Sequence, residues 1–428
     1  MTEAKRPRKG RIFYGYYLLA ATFLFLVLFN GSGVFVFSLF VRPLETALGW
    51  GRGEVMAGFT VFYATLGVAS PLVGRFVDRY GARLVIPAGA LVMGLGFVMV
   101  SQMSSLPLFY VGYAIVGAGA AGTGPVPCSA IITNWFKRQR GLALGLMAAG
   151  IGAGGPVMAP FIGYMLSNYD WRMSYLSLAV VLIVVIVPLS LAMVRTRPSE
   201  MGLYPDGASA PVDEHESPKY VTDKTDSFTL KQASRTRTFW FISVASVFYA
   251  FGSMGAIQAS IPFLEDIGYP TAMAAGAIGA IGFGSAVGKI LFGRLCDKMQ
   301  PNHAFAIGAG LLLAGALVLL TVQSSSPVAM IWAYALLLGI GAGAWLPTLS
   351  TLASSRFGVL HYGAVFGAIH LWLSLGTAVG PFFSGVMHDT LGSYRAAFIV
   401  FAVLLALALP TILLIGKPTR TSDSQASK

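Results

Sequence analysis

Charge and cysteine are scarce in this sequence. Only 11% of the 428 residues are charged, and the two cysteines, Cys128 and Cys296, lack metal-ligand spacing, so neither a disulfide nor a cysteine-bound metal is expected. A His–acid cluster, a nucleophile elbow and metal-binding spacings are also missing, which argues against an enzyme and predicts no cofactor. The formal net charge of +12 is spread over short segments without interleaved aromatics, so nucleic acid is not an expected partner.

Apolar side chains are abundant instead. They make up 56% of the chain, the mean hydropathy is +0.72, and runs of about 20 apolar residues, enough to cross a bilayer, recur about twelve times. No small-residue cleavage site closes the first run, so no cleaved signal peptide is expected. The sequence predicts an all-α integral membrane protein. The predicted spans are 14–41, 53–74, 83–103, 107–133, 141–166, 172–194, 238–263, 271–293, 303–323, 327–355, 362–388 and 394–416.

The basic residues follow the order of these spans. Of the 29 lysines and arginines, 24 lie in alternate gaps or at the termini, four lie in the other gaps, and Lys289 lies inside a span. Cytoplasmic loops of membrane proteins carry an excess of Lys and Arg, so we expect the gaps rich in basic residues to face the cytoplasm. We expect a multi-pass monomer in the lipid bilayer of the cell inner (plasma) membrane. The predicted segments are a cytoplasmic N-terminus 1–13, a six-helix half 14–194, a cytoplasmic linker 195–237, a second six-helix half 238–416 and a cytoplasmic tail 417–428.

The predicted linker 195–237 differs from the rest in composition. It holds four prolines and an acidic cluster of Asp213, Glu214 and Glu216. This composition predicts a flexible connection between the halves. A regulatory or partner-binding segment is the alternative, although nothing in the segment names a partner.

The two halves repeat each other. Residues 74–79, Gly-Arg-Phe-Val-Asp-Arg, return as 293–298, Gly-Arg-Leu-Cys-Asp-Lys, at an offset of 219, so Asp297 takes the place of Asp78. Residues 141–145 return as 363–367 at an offset of 222. Parallel repeats of this kind place a substrate site near the membrane midplane, between the halves.

One motif carries a resemblance to a known family. Gly74-x-x-x-Asp78-Arg79-x-Gly81-x-Arg83, placed after the second predicted span, resembles the signature loop of the major facilitator superfamily. The resemblance extends over the whole chain. It implies a gating role in which the Asp–Arg pair locks neighbouring helix ends and releases them as the carrier rocks. The alternative is a loop that fixes topology without gating.

A second motif narrows the resemblance. Residues 134–145, Asn-Trp-Phe-Lys-Arg-Gln-Arg-Gly-Leu-Ala-Leu-Gly, resemble the fifth-helix entry of monocarboxylate carriers and oxalate–formate exchangers. Residues 14–17, Tyr-Gly-Tyr-Tyr, resemble their first-helix entry. These resemblances favour small organic anions over sugars or drugs.

Apart from Glu54 at the outer end of the second span, no carboxylate lies inside the predicted spans, which leaves Lys289 without an acidic partner there. A lone buried cation is unfavourable unless an anion pairs with it, so a substrate carboxylate is the expected partner. The resembling carriers have an Arg at this position of the eighth helix, and Lys cannot make its two-pronged contact. The alternative is snorkelling, because Lys289 precedes Gly293 by four residues, about 6 Å of helix.

The other ionisable side chain of note away from the span ends, tyrosines aside, is His370. It lies eight residues past Tyr362, about 12 Å along the helix and so near the centre of a core about 30 Å thick. The ordinary pKa of histidine lies near neutrality, which suits a group that changes charge. Oxalate–formate exchangers have a Lys that aligns with Ile369 or His370. A histidine hydrogen-bonded between helices is the alternative.

Further candidates follow from the resemblance, since the first, fourth, seventh and tenth helices line the site in this superfamily. For each of them, structural packing or hydrogen bonding between helices is the alternative. They are Asn30, Thr123, Tyr249, Gln258 and Trp345.

The sequence therefore predicts a secondary transporter of small organic anions, either monocarboxylates such as lactate or pyruvate, or small dicarboxylates. Proton symport and anion exchange both stay open, because the Asp that proton-linked carriers place before the eighth-helix Arg is Ser285 here. The alternatives are a proton-driven multidrug or cation efflux pump and a non-transporting membrane receptor.

Overall fold

The computed structural model describes residues 13–207 and 227–416, and helices dominate throughout this part of the chain. Twelve helical segments are long and apolar enough to cross a membrane, and we number them α1 to α12. The first six are Tyr14–Leu48, Gly53–Tyr80, Ala82–Ser101, Leu106–Trp135, Arg140–Asn168 and Trp171–Met193. The last six are Arg237–Asp266, Gly276–Lys298, Pro301–Thr321, Val328–Phe357, Tyr362–Leu391 and Arg395–Leu413. The predicted all-α membrane fold with twelve spans is confirmed.

Several sequence predictions concern residues outside this description. These are the N-terminus up to residue 12, the middle of the predicted linker with its acidic cluster, and the tail 417–428. The described ends of the linker are bound to the bundle. The Asp206 carboxylate accepts from the backbone N–H of Lys137 at 3.1 Å, and the Phe228 N–H donates to the Phe357 carbonyl oxygen at 2.8 Å.

The second span is longer than predicted, and its end changes the interpretation of the signature motif. Residues 74–80 are not a loop but the last turns of α2, which ends at Tyr80. Only Gly81 leaves the helix, with φ of +82°, before α3 begins at Ala82. Because L side chains rarely adopt this conformation, glycine is required where two helices meet with a single residue between them.

Three of the spans are interrupted in their middle. A π-helical turn, Gly31–Phe35, divides α1, whereas Gly124 breaks α4 and Gly343 precedes the second part of α10. Non-helical backbone at membrane depth is tolerated where it lines a cavity or is buried in protein. Gly124 is such a position, with φ of −87° and ψ of −154°, whereas Gly31 and Gly343 keep right-handed helical angles.

The halves contact each other closely at one end of the bundle, which we call the closed end. There α2 packs on α11 and α5 packs on α8. A Cβ atom at Gly74 would overlap the Gly363 carbonyl group, and one at Gly141 would overlap the Gly293 carbonyl group. Glycines thus let the backbones of the two halves touch, as small residues do between membrane helices.

Candidate functional site

A cavity of about 450 Å³ lies between the halves, above the closed end. Its wall includes residues of α1, α2 and α5 from the first half and of α7, α8, α10 and α11 from the second. It extends from Lys289 and His370 to Met56, Ile261 and Ile278, close to the helix ends at the opposite end of the bundle, which we call the open end. The cavity is therefore placed for a ligand that enters from the open end.

Lys289 lies in the wall of this cavity and is only 3% exposed. Its Nζ donates to Ser285 Oγ at 2.5 Å, one helical turn toward the open end. The side chain therefore points away from Gly293 and the closed end, which is the opposite of the snorkelling alternative. Because no Asp or Glu is among the residues that line the cavity, a neutral hydroxyl is the hydrogen-bond partner of this ammonium there.

His370 also lines the cavity, and it connects the two halves. Its Nδ1 lies 3.1 Å from Ser70 Oγ of α2 and 3.4 Å from Ser374 Oγ of its own helix. Ser70 donates its hydroxyl hydrogen to the Leu66 carbonyl oxygen at 2.7 Å, so the ring nitrogen is the donor toward Ser70. That assignment leaves Nε2 of the neutral ring as an acceptor. The contact with Ser70 therefore joins α2 of the first half to α11 of the second.

Four of the five further candidates line the cavity, and two of those are already bonded elsewhere. Asn30 Nδ2 donates to the Ile151 carbonyl oxygen at 3.0 Å, and the Tyr249 hydroxyl donates to the Gly341 carbonyl oxygen at 2.5 Å. Gln258 is an exposed part of the wall, and the Trp345 ring lies 5.9 Å from the His370 ring.

Thr123 is the candidate that the structure does not bring to the cavity. It is fully buried, and its hydroxyl contacts the Ala120 carbonyl oxygen at 3.4 Å and Met93 Sδ at 3.9 Å. The reason is the break at Gly124, after which Pro125 of α4 reaches the cavity instead. The bonding between helices that was the alternative describes Thr123 better than a place in the cavity.

Sequence reasoning missed the three serines that surround the two ionisable groups. Ser70 was not recognised, and Ser285 and Ser374 were not assigned as partners. A signal was present for two of them, because Ser285 precedes Lys289 by four residues and Ser374 follows His370 by four. Residues four apart share one face of a helix.

The closed end is held by two carboxylates that cross between the halves. Asp78 accepts from the backbone N–H groups of Gly363 and Ala364, both at 2.8 Å. Asp297 accepts from those of Gly141 at 2.7 Å and Leu142 at 2.8 Å. Each carboxylate therefore sits at the N-terminus of a helix of the other half, where unpaired N–H groups and the helix dipole favour a negative charge. We call these two contacts the gate.

The basic members of the signature motif make contacts within their own half. Arg83 Nε donates to the Leu191 carbonyl oxygen at 3.1 Å, and the Arg79 guanidinium lies 5.1 Å from the Tyr80 ring centroid. Asp78 therefore joins the two halves through backbone N–H groups, and the gating role of the motif stays a prediction.

Arg140 makes a further contact across the closed end, which its place in the fifth-helix motif and among the loop cations did not predict. The residue is 6% exposed, and its Nη1 donates to Ser354 Oγ of α10 at 3.2 Å. Its place in the repeat, at the offset of 222, is taken by Tyr362 in the second half.

We expect Asp297→Asn to loosen the gate. An amide presents one acceptor oxygen where the carboxylate presents two, so one N–H loses a charge-assisted bond, which contributes about 2 kcal/mol. Cys296 reports the opening, because it is 7% exposed and a Cβ atom at Gly141 would lie 2.9 Å from its Cβ. In a Cys128→Ser background, maleimide labelling of Cys296 should rise about 30-fold.

The matched control is Asp170→Asn, because Asp170 also accepts a backbone N–H, that of Met173 at 2.8 Å, but at the open end. Cys296 should be labelled at the same rate in Asp170→Asn as in the parent. Equal rates for Asp297→Asn and the parent would show that this carboxylate does not hold the closed end.

Comparison with known proteins agrees with this architecture. Residues 21–379 match the Major Facilitator Superfamily. The oxalate:formate antiporter of Oxalobacter formigenes is 23% identical over 420 residues, which cover 95% of this chain and 93% of the relative. Monocarboxylate transporter 13 of Bos taurus is 24% identical over 377 residues, which cover 86% of this chain and 84% of the relative.

Solved structures show the same fold. The human organic anion transporter MFSD10 matches with a TM-score of 0.72 at 15% identity, covering 93% of this chain and 99% of that one. The E. coli fucose:proton symporter FucP matches with a TM-score of 0.68 at 15% identity, covering 95% of this chain and 100% of that one. With twelve spans, a repeated six-helix half and a family match over most of its length, this multi-pass membrane protein belongs to the major facilitator superfamily.

Proposed function

We propose that the protein is a secondary transporter of small organic anions that works by alternating access. The substrate carboxylate binds beside Lys289 in the cavity between the halves. The closed end and both termini lie on the cytoplasmic side of the cell inner membrane. The substrates are monocarboxylates such as lactate or pyruvate, or small dicarboxylates.

The observation that carries this proposal is the buried ammonium of Lys289. It is 3% exposed and bonded to a serine, and the cavity wall around it holds no acidic residue. An ammonium taken out of water is strongly destabilising unless an anion or several polar groups replace the water. A carboxylate that arrives from the open end supplies that anion.

The relatives support the same class of substrate. One is named as an antiporter of oxalate and formate and another as a monocarboxylate transporter, and the chain covers most of the length of both. A cation or multidrug efflux pump is less consistent with the cavity, because such a pump needs an embedded acid, and the wall has none.

The mode of coupling follows from what the cavity can titrate. Exchange of one anion for another needs no group that changes charge. Proton symport would use Lys289 or His370, since these are the only ionisable residues of the wall apart from Tyr63 and Tyr249. Both modes are part of the proposal.

Uptake into proteoliposomes tests the function. We expect labelled lactate or pyruvate to enter vesicles that hold the purified protein and an excess of unlabelled carboxylate, or vesicles under an imposed pH gradient. Uptake driven only by the first condition identifies exchange, and uptake driven by the second identifies symport. The corresponding amides should neither enter nor compete, because they lack the charge that Lys289 pairs with. Failure of every carboxylate tested, mono- and dicarboxylate alike, to enter or bind would overturn the proposal.

A further inference from the structure

The wall above Lys289 is apolar, and this restricts the substrate further. Along α8, the residues that line the cavity are Ile278, Ile281, Gly282, Ser285 and Lys289, on one face of the helix. Lys289 lies deepest and Ile278 nearest the open end. The two positions are eleven residues apart in the sequence, which corresponds to about 16 Å of helix. A substrate held by its carboxylate at Lys289 therefore extends past isoleucine side chains.

Residues of α7 and of the first half add further apolar side chains to the wall. From α7 the wall includes Ile257 and Ile261, and from the first half it includes Phe29, Phe35 and Phe59. Phe35 is 39% exposed in this conformation, so an apolar surface is open to a ligand. The slot between these isoleucines and phenylalanines buries hydrocarbon rather than a second polar group.

Charge at the far end of a substrate has no counterpart in this slot. Among the residues that line the cavity, Lys289 is the one with a fixed charge, and the polar side chains toward the open end, such as Ser38 and Gln258, are neutral. A second carboxylate would be desolvated beside isoleucine and phenylalanine, as would the ammonium of an amino acid. Both ligand classes are disfavoured relative to a hydrocarbon tail.

We infer that the preferred substrate is a monocarboxylate with an unbranched or branched apolar tail of about three to six carbons, bound with its carboxylate at Lys289 and its tail toward the open end. This inference rests on the proposed function, since it requires the carboxylate at Lys289. It separates the monocarboxylates from the dicarboxylates and favours tails longer than those of lactate and pyruvate.

The predicted signature is a dependence of affinity on chain length. Each methylene removed from water adds a roughly constant amount to the binding free energy. The dissociation constant should therefore fall about fourfold for each carbon added from propionate to hexanoate. Titration calorimetry on the protein in nanodiscs measures this slope at neutral pH, where the acids are ionised. Succinate, adipate and leucine should bind at least tenfold more weakly than butyrate.

Variants of the wall separate a pocket effect from partitioning of the ligand into lipid. Ile257→Thr and Ile278→Thr should each flatten the slope, because both side chains are half-buried in the wall. Val287→Thr is the matched control, since Val287 on the same α8 helix is 42% exposed and is not part of the wall. It should bind the series as the parent does.

The outcomes distinguish this inference from the function on which it rests. A flat slope, or adipate binding as well as hexanoate does, with carboxylates still bound in preference to their amides, overturns the apolar-tail substrate and leaves carboxylate transport standing. If neither the chain-length series nor the dicarboxylates bind, or if the amides bind equally well, the proposed function fails together with the inference. If the slope is unchanged in both isoleucine variants, the dependence on chain length comes from partitioning of the ligand into lipid, and this also overturns the inference.

Discussion

We expect Lys289→Gln to lose carboxylate binding and uptake and Lys289→Arg to retain both. Glutamine keeps most of the side-chain length and a hydrogen-bond donor for Ser285 but removes the charge that the substrate pairs with. Truncating one partner of a buried, hydrogen-bonded charge pair costs about 2–5 kcal/mol. We therefore expect the dissociation constant for a bound carboxylate to rise at least about 30-fold, measured by calorimetry and by uptake into proteoliposomes.

The same substitution should make the unliganded protein no less stable. An amide is easier to bury than an ammonium without an anion, so the thermal midpoint of Lys289→Gln without substrate should equal or exceed that of the parent. The parent, unlike Lys289→Gln, should gain stability when carboxylate is added. Ser285→Ala is the matched control, because it removes the partner and keeps the charge, and it should still bind. Undiminished uptake in a folded Lys289→Gln protein would remove the main support for an anionic substrate.

The ionisable residues of the cavity could be predicted from the sequence, because charged side chains are rare inside membrane spans. Once the spans were drawn, Lys289 and His370 stood out without any knowledge of packing, and both line the cavity. Thr123 could not be judged in the same way. The segment Leu106–Thr123 is apolar on all sides, so no periodic pattern indicates which face turns inward.

The ends of helices were harder to predict than their centres. Hydropathy stops at charged residues, so the first span was predicted to end at residue 41, whereas the helix continues through Arg42 and Glu45 to Leu48. For the same reason Asp78 and Asp297 were placed in loops, although both lie in the last turn of a helix. The backbone N–H groups that they accept from carry no signature in the side chains, so a gate of this kind is visible only in the structure.

Gly74→Val should shift the conformational equilibrium away from the conformation in which the closed end is packed, and it should stop transport. A side chain at this position would overlap the backbone carbonyl of Gly363, which no rotamer change can move. Overpacking of this kind costs about 3 kcal/mol, which corresponds to roughly a 100-fold change in the ratio of the two conformations. The rate of substrate uptake should fall by a similar factor, and labelling of Cys296 in the Cys128→Ser background should rise.

The fold should survive this change, because alternating access requires a second conformation in which α2 and α11 separate at the closed end and a valine fits between them. The matched control is Gly310→Val in α9, since a Cβ atom at Gly310 would meet nothing within 4 Å. It should transport and label as the parent does. Gly74→Ala gives a smaller change in the same direction and keeps the test open if the valine variant expresses poorly. Normal uptake in Gly74→Val would mean that contact between these two glycines is not part of the transport cycle, and the closed end would then have to open elsewhere.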